Sequence, residues 1–386
     1  MNALYSRFMT LAASLFAVSA LFVSCGDSSG EKKDEPEVPP AEEVAFARGA
    51  DVGWASEMEY DMEHNPARIN GSAFKDSKGN TGLYPVLKAA GVNAIRLRVW
   101  VKPEDANGWS GKEDVVNMAK RAAEAGMSVM IDFHYSDFFA DPQRQNTPAE
   151  WAGLDLKGLS AKVSEHTKDV LAALKSAGVT PLWVQVGNET RPGMLWETGR
   201  LYNDKGEIAG GWSNYATLSN AGYDAVKAIF PDAKVIVHID NAYQDNTWFF
   251  DKLKAAGGMF DMIGLSHYPM TKESMTWKAM NSATVLNIKT LAAKYGCKVM
   301  VCEVGVKAAA ASEIATSTQC MTEFMNSVKS LSVCAGVFYW EPQVDGKWRP
   351  SIYEKPDRNW GAYNMGAFTS DGSVLSPTSI MSAFGQ

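Results

Sequence analysis

Several features that would assign this sequence to a familiar functional class are missing from it. No run of lysine or arginine offsets the acidic balance of 37 basic against 44 acidic residues, a net charge of −7. Without such a run, or an RNA-binding aromatic motif, a nucleic-acid partner is excluded. No CxxC pair occurs. Cysteines 297, 302, 320 and 334 are scattered, which fits buried thiols or an incidental disulfide and gives no metal signature. No GxGxxG turn follows the first strand-like segment, and a doubly wound dinucleotide fold would need one. The longest apolar run, Phe8 to Val23, is short for a membrane span and has no basic flank after it.

That run sits in "MNALYSRFMTLAASLFAVSALFVS" (1–24), which has one Arg, an apolar stretch and small residues before Cys25. These are the parts of an export signal, to be set aside from the fold. "LFVSC" resembles a bacterial lipobox, with Phe22 an untypical residue at its position. We therefore expect lipidation at Cys25 and attachment to the cell envelope, at the outer membrane or the cell surface. Residues 25–43 are polar, charged and Pro-bearing, without aromatics, and read as a flexible tether. Residues 44–386 remain for one domain, expected to be monomeric.

Within that domain a unit recurs: a helical stretch closed by a Gly break, then a β-branched strand. "LKAAGVNAIRLRVW" (87–100), "AAEAGMSVMIDFH" (122–134), "LKSAGVTPLWVQVGNE" (174–189), "KAAGGMFDMIGLSHYP" (254–269) and "AAKYGCKVMVCEVG" (292–305) all show it. The Gly is the expected helix C-cap. With "AFARGADV" (45–52), "AKVIVHID" (233–240) and "CAGVFYWEP" (334–342), eight strands alternate with helix-length segments. That pattern predicts parallel βαβ units and an α/β fold, the (β/α)8 TIM barrel.

In such a barrel the active site lies at the C-terminal ends of the strands. Those ends carry Asp51; Arg96, Arg98 and Trp100; Asp132 and His134; Asn188 and Glu189; His267 and Tyr268; Glu303; and Trp340 and Glu341. Side chains alternate along a strand, so Arg96 shares a face with Arg98, and Asp132 with His134. Buried arginines need partners, so both should point into the barrel, towards carboxylates of neighbouring strands. Glu189 and Glu303 close two strands three positions apart. A facing pair of carboxylates suits glycoside hydrolysis, in which one protonates the leaving oxygen and the other attacks or activates water. A structural ion-pair network with Arg96 and Arg98 is the competing reading. Twelve Trp and thirteen Tyr supply flat rings that can stack on sugars or pack a core.

Six motifs, "RGADVG" (48–53), "GVNAIRLRVWV" (91–101), "IDFHYSDFFADPQRQ" (131–145), "VQVGNETRPGMLW" (184–196), "SHYP" (266–269) and "FYWEP" (338–342), resemble those of glycoside hydrolase family 53, the endo-β-1,4-galactanases of clan A. The resemblance spans about 300 residues. It implies a retaining enzyme acting on β-1,4-galactan side chains of pectin, with Glu189 as acid/base and Glu303 as nucleophile. It further implies that Asn188 bonds the sugar 2-hydroxyl, that Arg98 keeps Glu303 ionised, and that His134 and Tyr268 line the catalytic subsite. Trp340 and Trp360 would be stacking platforms. Asp51, Asp132, Trp196 and His267 complete the expected substrate-binding set. The chain departs from the family in "LWETG" (195–199) for the usual LWPTG, and in "SHYP" for SYYP. The stretch after Glu303, "VGVKAAAASEIATST", offers few hard oxygen ligands, so neither calcium through that loop nor any cofactor is expected. The alternatives are another clan A enzyme, a mannanase or xylanase, and a non-catalytic glycan-binding lipoprotein.

Overall fold

The computed structural model describes residues 44–385. The export signal, Cys25 and the tether lie outside the described residues. Eight parallel strands close into a barrel: β1 Ala47–Asp51, β2 Ala94–Val99, β3 Ser128–Phe133, β4 Trp183–Val186, β5 Lys234–Ile239, β6 Met262–His267, β7 Val299–Val304 and β8 Cys334–Trp340. Each strand pairs with its neighbours in chain order, and β1 closes the ring against β8. The TIM barrel expected from the sequence is the fold observed. Helices follow the strands, among them α1 Ala55–His64, α3 Lys112–Glu124, α4 Leu156–Ser176, α5 Gly211–Ile229, α7 Trp277–Tyr295 and α8 Ala311–Lys329, with α2 Leu83–Ala89 and α6 Thr247–Ala255 shorter.

The strands read as near-continuous apolar runs because both their faces are covered, one by helices and one by the barrel interior. At the interior floor Ala47, Ala94, Met130, Trp183, Ile236, Met262, Met300 and Phe338 pack together. Two residues further along the strands the interior turns polar, with Arg96, Asp132, Gln185 and His238 all buried. Alternation alone places these in one layer. The Gly breaks act as predicted. Gly296 caps α7 in the left-handed region at φ 66°, its N–H donating to Ala292. Gly91 lies at φ 98°, where a Cβ would stand 2.4 Å from the Phe384 carbonyl oxygen, so only glycine lets the C-terminal turn pack this closely. All four cysteines among the described residues are free. No described helix is long and apolar enough to cross a membrane.

Candidate active site

Two local devices deliver the paired glutamates. β4 stops at Val186, and Gly187 at φ 82° turns the chain out of the strand. Glu189 therefore stands on a turn, not at the strand end read from the sequence, and is itself left-handed at φ 47°. Glu303 lies within β7, where alternation from the interior Met300 and Cys302 would send it outward. The β6–β7 register slips there: Leu265 pairs with Val301 and Ser266 with Glu303, so Cys302 has no partner across the pair. A bulge of this kind re-aims a side chain, and it brings Glu303 inward to Arg96.

Arg96 is the hub beneath the site. Its Nη1 lies 2.6 Å from Asp51 Oδ2 and 3.1 Å from Glu303 Oε1, and its Nη2 lies 2.8 Å from Asp132 Oδ2. It also donates to Asn188 Oδ1 at 2.9 Å and, through Nε, to Gln185 Oε1 at 3.2 Å. Arg98, expected beside Glu303, pairs instead with Glu341, and its guanidinium stacks 4.0 Å from the Trp54 ring centroid. Parity put both arginines on one face, but Arg98 sits one step nearer the mouth and over β1 and β8, so Arg96 is the cation beside Glu303. On its other side Glu303 accepts from Tyr268 Oη at 2.7 Å. Burial and the nearby Glu303 charge push the Tyr268 phenol well above its usual range, so it stays a donor.

The cleft above is about 230 Å³ and is lined by His134, Phe139, Ala140, Asp141, Asn188, Glu189, Tyr268, Glu303, Trp340, Tyr353 and Trp360. Seven residues expected at the site are therefore together in its wall. A second depression borders Glu189 and Tyr268 from the other side, lined also by Asp240, Asn241, Tyr243 and Ser266. His134 accepts the Ala140 N–H at Nδ1, 2.9 Å away, and so donates from Nε2 to Asp132 at 3.0 Å. Trp340 meets Tyr363 edge-on at 4.4 Å, and Trp360 packs on Tyr353 at 5.2 Å and under the Arg144 guanidinium at 4.3 Å.

Five expected substrate contacts stand elsewhere. Asp51, Asp132 and Arg98 are buried beneath the wall, tied to other side chains. Trp196 turns away, donating to the Pro192 carbonyl at 3.2 Å with Arg200 over its ring. His267 faces the helix layer: it meets Asn281 at 2.7 Å and Thr284 at 3.0 Å, against Phe324. The neighbouring Ser266 faces the site, so strand alternation turns His267 outward. Gln185, His238, Ser266, Tyr353 and Asp141 were not singled out from the sequence. Gln185 and His238 share parity with Trp183 and Ile236, a signal available in the strand pattern.

Electrostatics separates the two glutamates. Burial, then the charges of Glu303 and Asp240, push Glu189 well above the carboxylate range. Burial raises Glu303 too, but Arg96 and the Tyr268 hydroxyl oppose the rise. Of the two, Glu189 is the more strongly pushed towards its protonated form, and Glu303 the better supported as a carboxylate. Among the described residues no group of three His, Cys, Asp or Glu is placed to hold a metal ion.

Two glutamates, Glu189 held further above the carboxylate range than Glu303, meet at the mouth of a (β/α)8 barrel, and residues 47–381 match glycosyl hydrolase family 53. The chain belongs to that family. Its relatives include the arabinogalactan endo-beta-1,4-galactanase of Thermothelomyces thermophilus, 35% identical over 70% of this chain and 84% of the relative. The endo-beta-1,4-galactanase of Bacillus subtilis is 30% identical over 86% of this chain and 78% of its own length. A solved fungal β-1,4-galactanase superposes with a TM-score of 0.71 at 30% identity, covering 88% of this chain and 99% of that one. The family 53 membership implied by the strand-end motifs is thereby established.

Proposed function

We infer that the chain is a retaining endo-β-1,4-galactanase that cuts the galactan side chains of pectin. The observation that carries the mechanism is the unequal environment of the two glutamates. Glu303, held between Arg96 and Tyr268, attacks the anomeric carbon and forms a covalent glycosyl ester. Glu189, which keeps its proton, donates it to the departing glycosidic oxygen and then, as a carboxylate, takes a proton from the water that opens the ester. Glu189 borders both depressions while Glu303 lines only the first. The first therefore holds the sugar that becomes attached, and the second the leaving sugar. Trp340 and Trp360 present ring surface to the chain in the first, and the substrate-binding role passes from Asp51, Asp132 and Arg98 to the wall residues they brace.

The preference for galactan rests on the named relatives. Incubation with galactan, mannan and xylan tests it: galacto-oligosaccharides from galactan alone are expected, and cleavage of mannan or xylan with galactan intact would overturn it. We further propose export, lipid attachment at Cys25, a place at the outer membrane or cell surface, and a monomeric state. The signal-like residues 1–24 and the "LFVSC" sequence support the anchor. Labelling with a radioactive fatty acid, lost in Cys25→Ala, tests it.

A further inference from the structure

His238 and Ser266 take no part in the steps above, yet both touch the segment that carries the acid/base. We propose that they are positioning residues for Glu189: a hydrogen-bond chain with one fixed direction runs from His238 through Ser266 to the Glu189 carboxylate and supports its ionised form. His238 is fully buried on β5. Its Nδ1 lies 2.8 Å from Gln185 Nε2 and 3.3 Å from the Glu189 backbone nitrogen. Both neighbours carry N–H groups, so Nδ1 is the lone-pair nitrogen and the ring proton is on Nε2. Asn188 Oδ1 is 3.0 Å from Nδ1, but that oxygen accepts from Arg96.

The Nε2 proton then goes to Ser266 Oγ at 2.8 Å. Having accepted it, Ser266 must donate its own proton elsewhere, and the Glu189 carboxyl group shares its pocket. Burial and the Arg96 charge keep His238 neutral, which preserves this direction. The same histidine also fixes the backbone, since Thr190 donates to the His238 carbonyl through N–H at 2.8 Å and Oγ1 at 3.1 Å. Residues 189 and 190 are thus both tied to β5, which holds the left-handed turn in place. The other charged or titratable groups near Glu189 are Glu303, Asp240, Asp141, Arg191 and Tyr268. Those around His238 are Arg96, Asp132 and His134.

The proposal rests on the reading of Glu189 as acid/base. In Ser266→Ala the carboxylate loses a donor, so Glu189 keeps its proton to higher pH, and the alkaline limb of kcat/KM should move up by about one pH unit. Ser266→Thr, which restores a hydroxyl, should return the limb. His238→Asn, with no group at the Nε2 position, should move it in the same direction as Ser266→Ala by a smaller amount. Melting curves of all three confirm that the folded protein is being compared. An unmoved limb in Ser266→Ala, or an equal shift in Ser266→Thr, overturns the chain; a shift in Ser266→Ala without one in His238→Asn removes His238 from it. Failure of the wild-type enzyme to cut any β-galactoside would instead overturn the functional reading beneath.

Discussion

Arg96 Nη1 sits between two carboxylates, 3.1 Å from Glu303 and 2.6 Å from Asp51, and Arg98 reaches neither as closely. The charge of Glu303 therefore depends on Arg96. In Arg96→Lys a point charge replaces a planar fork that serves Asp51, Asp132, Gln185, Asn188 and Glu303 together. We expect kcat on an aryl β-galactoside to fall by at least about 100-fold. Arg96→Ala would leave buried carboxylates without a cation, at about 3–5 kcal/mol of folding stability. Near-normal turnover in Arg96→Lys would remove Arg96 from the nucleophile's support.

Added azide separates the roles of the two glutamates. With Glu189→Ala an activated aryl galactoside still forms the covalent ester, because its leaving group needs little protonation. Azide, which needs no base, then opens the ester to a β-azide. With Glu303→Gly azide occupies the vacated pocket and attacks from the opposite face, giving the α-azide. The same anomer from both variants, identified by NMR, would contradict the assignment.

Glu341 titrates near neutrality. Burial pushes its carboxyl group up to about 7 against the opposing Arg98 charge. A carboxylate raised on folding adds stability below its unfolded value near 4.5, and that stability is lost as pH rises through about 7. Glu341→Gln cannot ionise. Its melting temperature relative to the wild type should therefore rise from pH 5 to about pH 7 and level off above it. Burial lowers His166 and His267 to about 4, and these titrate in the opposite sense in both proteins, so they cancel in the difference. A difference independent of pH would place the Glu341 titration elsewhere.

His267 belongs to the helix layer. His267→Ala removes a buried ring bonded to Asn281 and Thr284 and should cost about 2 kcal/mol or more by urea denaturation. Its kcat and KM at low temperature should match the wild type. A tenfold loss of kcat with stability unchanged would return His267 to the site.

The barrel and the two glutamates at its mouth were legible in the sequence because their signals are local. Strands buried on both faces are β-branched runs, helix ends are marked by Gly, and "GNE" is a short motif. What escaped depends on three-dimensional register. Arg96 and Arg98 share a face, so only depth in the barrel distinguishes them. The slip that leaves Cys302 unpaired alters which residues of β7 face inward, and nothing in "VCEVG" announces it. The turn that lifts Glu189 out of β4 is visible as Gly187, but its left-handed continuation on a glutamate is not, because that conformation is unfavourable for the residue and is held by contacts from β5.

That unfavourable backbone at Glu189, joined to a carboxyl group that resists ionisation, bears on how such an enzyme responds to selection. A left-handed glutamate costs of order 1 kcal/mol, which glycine would recover. A breeder ranking random variants by heat resistance alone would favour Glu189→Gly and discard catalysis without a warning in any folding assay. Directed evolution of a hardier enzyme on this scaffold has to carry a turnover screen at every round.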